Sequence, residues 1–441
     1  MNNTYTEEHT ENAIDLYELR LSWLNETDIH ANALEGVEER LCANLYHCAR
    51  SLPGETTDDA QTDKKKEPKK EAECFVFLAS HITSSKPAIS NAGYELAYQW
   101  LTQDAAKSAA AESALTLYPS TDETALIKLY EEHEVLRPAL FRLFRKQMHA
   151  LPLAMVNTAA TAETSSTSLK TEALNYAAAN PEIGPDVFRN HYLPLLSGQT
   201  QFDAAIVEAA LWGGLLRGDA DATRAISAAI SHINSAKDRA PLLRLAALTG
   251  AAEYLPLLLQ AAENDPVSGY NLLTLYGQKS VIPALLKAME SVHTMEAAAT
   301  AFTQLCDQNL RRIPRLTVVG KEETDDAEDN ESEKIPDVIA ARAWWDKNQT
   351  KWKTEERWLA GKPATPAHLQ KLTKKYAASY GRDVMALLAL VQKSPLNIAS
   401  ETWRARQQSL LAEMSAAKPV NKSVVNGAAQ STVKPASARH A

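Results

Sequence analysis

Two stretches decide how this chain folds: LTGAAEYLPLLLQAA at Leu248–Ala262 and LYGQKSVIPALLKAM at Leu275–Met289. They align without a gap. Leu248 matches Leu275, Gly250 matches Gly277, Pro256 matches Pro283, and Leu258-Leu259 matches Leu285-Leu286. The pattern has a mechanism. A helix ends in Leu-x-Gly, where glycine supplies a left-handed cap. After a short turn, proline enters the first turn of the next helix, where its missing N–H costs nothing. Each unit is a helical hairpin with one apolar face, so copies must stack to bury it. A looser copy, LRGDADATRAISAAI, starts at Leu216, with Gly218 at the cap and Ile226 in place of Leu258.

The expected fold is all-α: a HEAT-like α-solenoid of stacked hairpins over residues 169–312, with helical modules at both ends. The repeat is shorter than the roughly 40–47 residues usual for HEAT units. The alternative is an ordinary helical bundle with two similar hairpins. Composition agrees with a helical chain. Of 441 residues, 45% are hydrophobic but only 7% aromatic, and the 15 glycines are too few for a many-stranded β fold.

Outside the repeats, helices are expected at Asn12 to Asn25 and Ala33 to Ser51, within an N-terminal module of residues 1–52. Leu34, Val37, Leu41 and Leu45 form the apolar stripe of the second. Residues 53–73 read as a disordered charged linker containing Lys64, Lys65, Lys66, Lys69 and Lys70. Helical pattern fills 74–168, with a capping-box form at Ser120 to Glu123 and a loop from Thr158 to Ser168. Residues 313–336 read as an exposed acidic loop. A Trp-rich helical module spans 337–415, with Thr365 as a helix N-cap before Pro366 and helices at Pro366 to Tyr380, Arg382 to Gln392 and Glu401 to Met414. Residues 416–441 read as a disordered tail.

The net charge of -9 disfavours a general nucleic-acid binder. No apolar run is long enough for a membrane span, and the N-terminus MNNTYTEEHTEN lacks a secretory signal, so a cytoplasmic location is expected. Cys42, Cys48, Cys74 and Cys306 form no CxxC pair. No G-x-G-x-x-G, P-loop, HExxH or G-x-S-x-G occurs, and the 11 histidines are scattered. No catalytic residue, metal ligand or cofactor is therefore expected. The unusual constellation is Trp344, Trp345, Arg357 and Trp358. It reads either as a partner-binding surface or as the aromatic core of a small helical module, and core is favoured.

Both ends resemble an uncharacterised bacterial HEAT-repeat family often encoded near type VI secretion spike and adaptor genes. At the N-terminus the resemblance rests on Leu16, Arg20, Leu34, Glu38, Arg40, Leu41 and Leu45. At the C-terminus it rests on Trp344, Trp345, Arg357, Trp358, Leu359, Gly361, Pro363, Thr365 and Pro366. The lysine linker and the acidic loop are departures from the family pattern. The resemblance implies a non-catalytic accessory role, an effector chaperone or adaptor whose protein partner is a spike component or an effector. It supplies no catalytic residues. The alternatives are an immunity-type protein that blocks a toxin and a helical-repeat nucleic-acid enzyme.

Overall fold

In the computed structural model the described residues are 2–26, 29–52, 68–120, 123–314, 334–394 and 402–416. The protein is all-α and solenoid-like. The chain opens with α1 (Asn2–Asn25) and α2 (Ala31–Arg50), which pack as an antiparallel pair. The first helix begins ten residues before the expected Asn12, because its early turns have a partner: His9 stacks on His47 at 4.5 Å and bonds Asn44 at 2.7 Å.

A single stacked layer follows. It comprises α3 (Glu71–Ile82), α5 (Ala105–Leu117), α7 (Arg137–Gln147), α9 (Thr167–Ala179), α11 (Ala204–Leu216), α13 (Ala236–Thr249), α15 (Pro266–Tyr276) and α17 (Met295–Cys306), each packed on the next. The alternate helices form a looser second layer: α4 (Pro87–Trp100), α6 (Glu123–Glu132), α8 (Leu153–Thr161), α10 (Asp186–Leu196), α12 (Ala220–His232), α14 (Leu255–Asn264) and α16 (Ile282–Ala288). Crowding in the first layer and spreading in the second are what curvature of a helical stack produces, so the first layer is the inner one. The inner layer reaches upstream of the readable repeats as far as α3.

The repeat signals take their expected roles. Gly250 and Gly277 cap α13 and α15 in the left-handed region at φ 66° and 69°. Each is followed by a single 3-10 turn, and Pro256 and Pro283 then enter α14 and α16. A further copy has no glycine: Leu305-Cys306-Asp307 ends α17 with Asp307 at φ 53°. Aspartate visits this region more readily than most residues.

Several expected boundaries move. The helix expected at Cys74 starts at Glu71, since the Glu73 carboxylate accepts the Lys69 and Lys70 backbone N–H groups. The expected loop from Thr158 shrinks to residues 162–166, because Ser166 caps α9 and α8 runs to Thr161. The ends of the acidic loop are not free: β1 (Arg312–Pro314) pairs antiparallel with β2 (Lys334–Pro336). Lys64 to Lys66, residues 121 and 122 of the capping-box segment, the acidic stretch 322–333 and the tail from 417 lie outside the described residues.

After α18 (Val338–Asn348), the chain crosses the repeat ends as a short hairpin of β3 (Trp358–Leu359) and β4 (Lys362–Pro363). It then turns into α19 (Pro366–Lys375) and α20 (Ala378–Gln392), and α21 (Arg404–Ala416) ends the described chain. Thr365 caps α19 as expected, its hydroxyl accepting from the His368 N–H at 3.3 Å. The helix expected to reach Tyr380 stops at Lys375. Tyr376 pairs with His30, and the backbone N–H groups of Ala377 and Ser379 donate to Ile29 and Glu26 in the turn between α1 and α2. Those amides are drawn away from the helix ladder. As a result α20 packs against α1, α11 and α13, across the inner layer, with Val384, Leu387 and Leu388 buried. α21 returns to α2. The last described helices therefore pack on the first two, and the described array is closed.

Candidate functional site: two arginine clasps

The structure brings Trp344, Trp345, Arg357 and Trp358 to one edge of the repeats. Trp352 stacks on Trp358 at 4.4 Å, and Trp345 meets Trp352 edge-on at 5.5 Å. Trp344 meets Phe302 of α17 edge-on at 5.7 Å. Trp345, Trp352 and Trp358 are buried, and Trp344 is partly buried against the core. Offset and edge-on ring pairs add to the burial gained by such large side chains.

Arg357 lies where two repeat helices end. Its Nη1 donates to the Leu248 carbonyl at 2.5 Å, and its Nη2 donates to Leu275 at 2.5 Å and Ala247 at 3.2 Å. The next residues continue the line. The Trp358 N–H donates to the Gly277 carbonyl at 2.7 Å, Ala360 to Gln304 at 3.0 Å and Gly361 to Leu305 at 2.9 Å. Leu248, Leu275 and Leu305 are the equivalent leucines of three Leu-x-Gly or Leu-x-Asp ends. One strap, residues 357–361, thus takes up a carbonyl at the same repeat position three times. Helix C-termini leave carbonyls without intrahelical partners and carry partial negative charge, so a cation and a row of N–H groups are what they require. Burial pulls the Arg357 pKa down to about 10, with Tyr276 opposing, so the side chain remains cationic at neutral pH.

The close fit explains two glycines. A Cβ on Gly277 would stand 2.7 Å from the Trp358 carbonyl oxygen. A Cβ on Gly250 would stand 2.9 Å from Arg357 Cδ. These glycines serve the helix cap and the approach of the strap together.

A second arginine clasp holds the other end. Arg20 is 2% exposed, and its Nε donates to Glu38 Oε1 at 2.8 Å. The guanidinium lies 3.9 Å from the ring centre of Trp403, and Glu38 Oε2 accepts the Arg404 backbone N–H at 2.7 Å. Trp403 also stacks on Phe75 at 5.7 Å and donates from Nε1 to the Ser113 carbonyl at 3.3 Å. Tyr17 completes the cluster, stacked on Phe75 at 4.0 Å and donating to Glu71 at 3.0 Å. Residues 402–404 are locked between α1, α2, α3 and α5.

This second cluster was not singled out as a site, and the sequence carries only part of its signal. Arg20 falls on the stripe of α1 that buries Ala13 and Tyr17. Glu38 reads from the sequence with Glu35, Glu39 and Arg40 as the polar face of α2, but it is buried on the stripe of Leu34, Leu41 and Leu45 because it pairs with Arg20. A charge on an apolar stripe implies a buried partner, because a lone buried charge is too costly.

The inner layer carries further charge. Arg142 of α7 reaches Glu112 of α5 at 2.9 Å and Glu172 of α9 at 3.6 Å, and Lys146 reaches Glu112 at 2.6 Å. Burial raises the Glu112 pKa, but Lys146 and Arg142 outweigh it and leave the carboxyl below its ordinary range. Burial dominates at Glu172 and Glu208, which are pushed up. Arg244 of α13 pairs with Asp383 of α20 at 2.8 Å and fixes that helix on the inner layer.

Among the described residues no group of three or more His, Cys, Asp or Glu side chains is placed to hold a metal ion, and no helix is long and apolar enough to cross a membrane. No protein-family model, curated protein or solved structure matches the chain.

Proposed function

We propose that this protein is a non-catalytic protein-interaction scaffold, and that it serves as an effector chaperone or adaptor of a bacterial type VI secretion system. The observation that supports the scaffold is where its distinctive residues go. Arg20, Glu38, Arg357 and the tryptophans fasten helices to one another instead of converging on a cavity. Repeat proteins commonly bind through the concave face, but here α20 packs across the inner layer, which leaves the exposed outer faces of the stacked helices as the surface available to a partner. The secretion role rests on the sequence resemblance alone.

Copurification of a tagged full-length chain from its native host tests the reading. Stoichiometric recovery of a spike component or a toxin, with loss of toxin secretion on deletion of the gene, is the expected result. Normal secretion without the gene, together with recovery of neither protein, would overturn it. Rescue of cells from a toxin without any effect on secretion would point to the immunity-type alternative.

A further inference from the structure

We propose that the groove between α4 and α6 docks a basic amphipathic helix of a partner protein. This deepens the scaffold reading and rests on it, without depending on which protein is bound.

The groove is a gap in the outer layer. Downstream, α10 packs on both α8 and α12. Upstream, α4 packs on α3 and α5, while α6 packs on α7 and on the 3-10 turn Glu134–Leu136. Between them lies a cleft of about 690 Å³. Its floor and walls include Tyr98 of α4, Leu129 of α6, Val135 and Leu136. Val135 is 78% exposed, the most of any large apolar side chain among the described residues. An apolar groove left between stacked helices is the shape into which a helix lays anchors at i, i+3, i+4 and i+7.

The rim sets the sign of the partner. Glu95, Glu132 and Glu134 line the cleft, and its lining contains no Lys or Arg. Lys128 and Arg137 approach Glu132 and Glu134 from outside at 3.7 Å and 3.8 Å. Exposed pairs of that length contribute little and exchange readily. Glu95 makes no ion pair among the described residues. A helix with leucines on one face and lysines beside them satisfies floor and rim together, and like charges would repel an acidic one.

The test uses the full-length protein and two labelled synthetic helices of about 18 residues, or five turns, with the same leucine face and either lysine or glutamate on the other. Fluorescence anisotropy at about 0.15 M salt, where long-range attraction is screened, reads the affinity. The lysine peptide should bind one site saturably and at least about ten-fold more tightly than the glutamate peptide. Glu95→Lys/Glu132→Lys should weaken it about ten-fold and Val135→Ser several-fold, while Glu263→Lys on distant α14 leaves it unchanged. The substituted side chains are exposed, so unfolding midpoints should match the wild type. Absence of saturable binding overturns the proposal. So does an equal loss in Glu263→Lys, or indifference to the groove variants. A failed groove alongside successful copurification would reject this site and leave the scaffold reading intact.

Discussion

Arg20 and Arg357 do the same mechanical task with different partners. Each fastens the C-terminal part of the chain to an earlier part. Arg20 faces a full counter-charge, Glu38, in a buried pocket roofed by Trp403. Arg357 faces backbone carbonyls from the ends of two helices, with partial charges summed from helix dipoles. The first is an ion pair, whose loss on one side leaves a bare buried charge. The second is a cap, whose loss leaves carbonyls that water or a shifted strap can partly satisfy. The comparison teaches that a buried cation can be held by secondary structure itself, and that such a clasp should be softer.

The largest effect is expected at the ion pair. Glu38→Leu strands Arg20 and should cost about 3–5 kcal/mol in urea unfolding. The double variant Arg20→Met/Glu38→Leu should recover at least half of that loss, since an apolar pair of similar volume often replaces a buried ion pair. No recovery would show that the geometry around Trp403, and not the unpaired charge, sets the cost. Next comes the cap. Arg357→Met should cost about 2–3 kcal/mol for bonds from a charged donor. Arg357→Lys should fall between this variant and the wild type, because an ammonium lacks the planar fork that reaches two helix ends at once. A lysine variant as stable as the wild type would reduce the clasp to charge alone.

Smaller effects sharpen the view of the cap. Gly277→Ala combines a left-handed backbone with a contact to the strap's own carbonyl and should cost about 2 kcal/mol. Gly250→Ala meets the Arg357 side chain, whose displacement would loosen its carbonyl bonds without moving the strap backbone, and should cost about 1–2 kcal/mol. The reverse order would mean that the strap backbone yields more easily than the arginine. The smallest effect concerns a carboxylate without a full partner. Burial raises the folded-state pKa of Glu208, so its ionised form opposes folding at neutral pH. That penalty is relieved as pH falls through the raised value. Glu208→Gln should therefore stabilise the protein by less than about 1 kcal/mol at pH 7, with the gain shrinking toward pH 4. A gain of equal size at both pH values would show that ionisation is not its source.

The repeats were legible because each local rule writes itself in residue types: Leu-x-Gly for the cap, proline for the next start, leucines for the buried face. The α17 copy was missed because Asp307 fills the position that glycine fills elsewhere. The end of α19 was missed because long-range bonds to Glu26 and Ile29, far away in sequence, take its amides. The motif Trp344, Trp345, Arg357 and Trp358 was visible as a cluster, but its carbonyl partners are backbone atoms without sequence signature. Glu38 reads from the sequence as part of the polar face of α2, and only its pairing with Arg20 accounts for its burial.

The closure of the chain bears on how such a protein can change length. An open stack can gain or lose a hairpin at little cost, since each unit meets only its neighbours. Here the strap's contacts fall on consecutive helix ends, and the segment from α19 to α21 then returns to the first two helices. The number of units is thus fixed in the way a circumference fixes the number of links in a bracelet. A hairpin inserted between Gly250 and Gly277 would move the Leu275 and Leu305 carbonyls one step out of phase with the strap. This array can be altered in its outer faces far more freely than in its count.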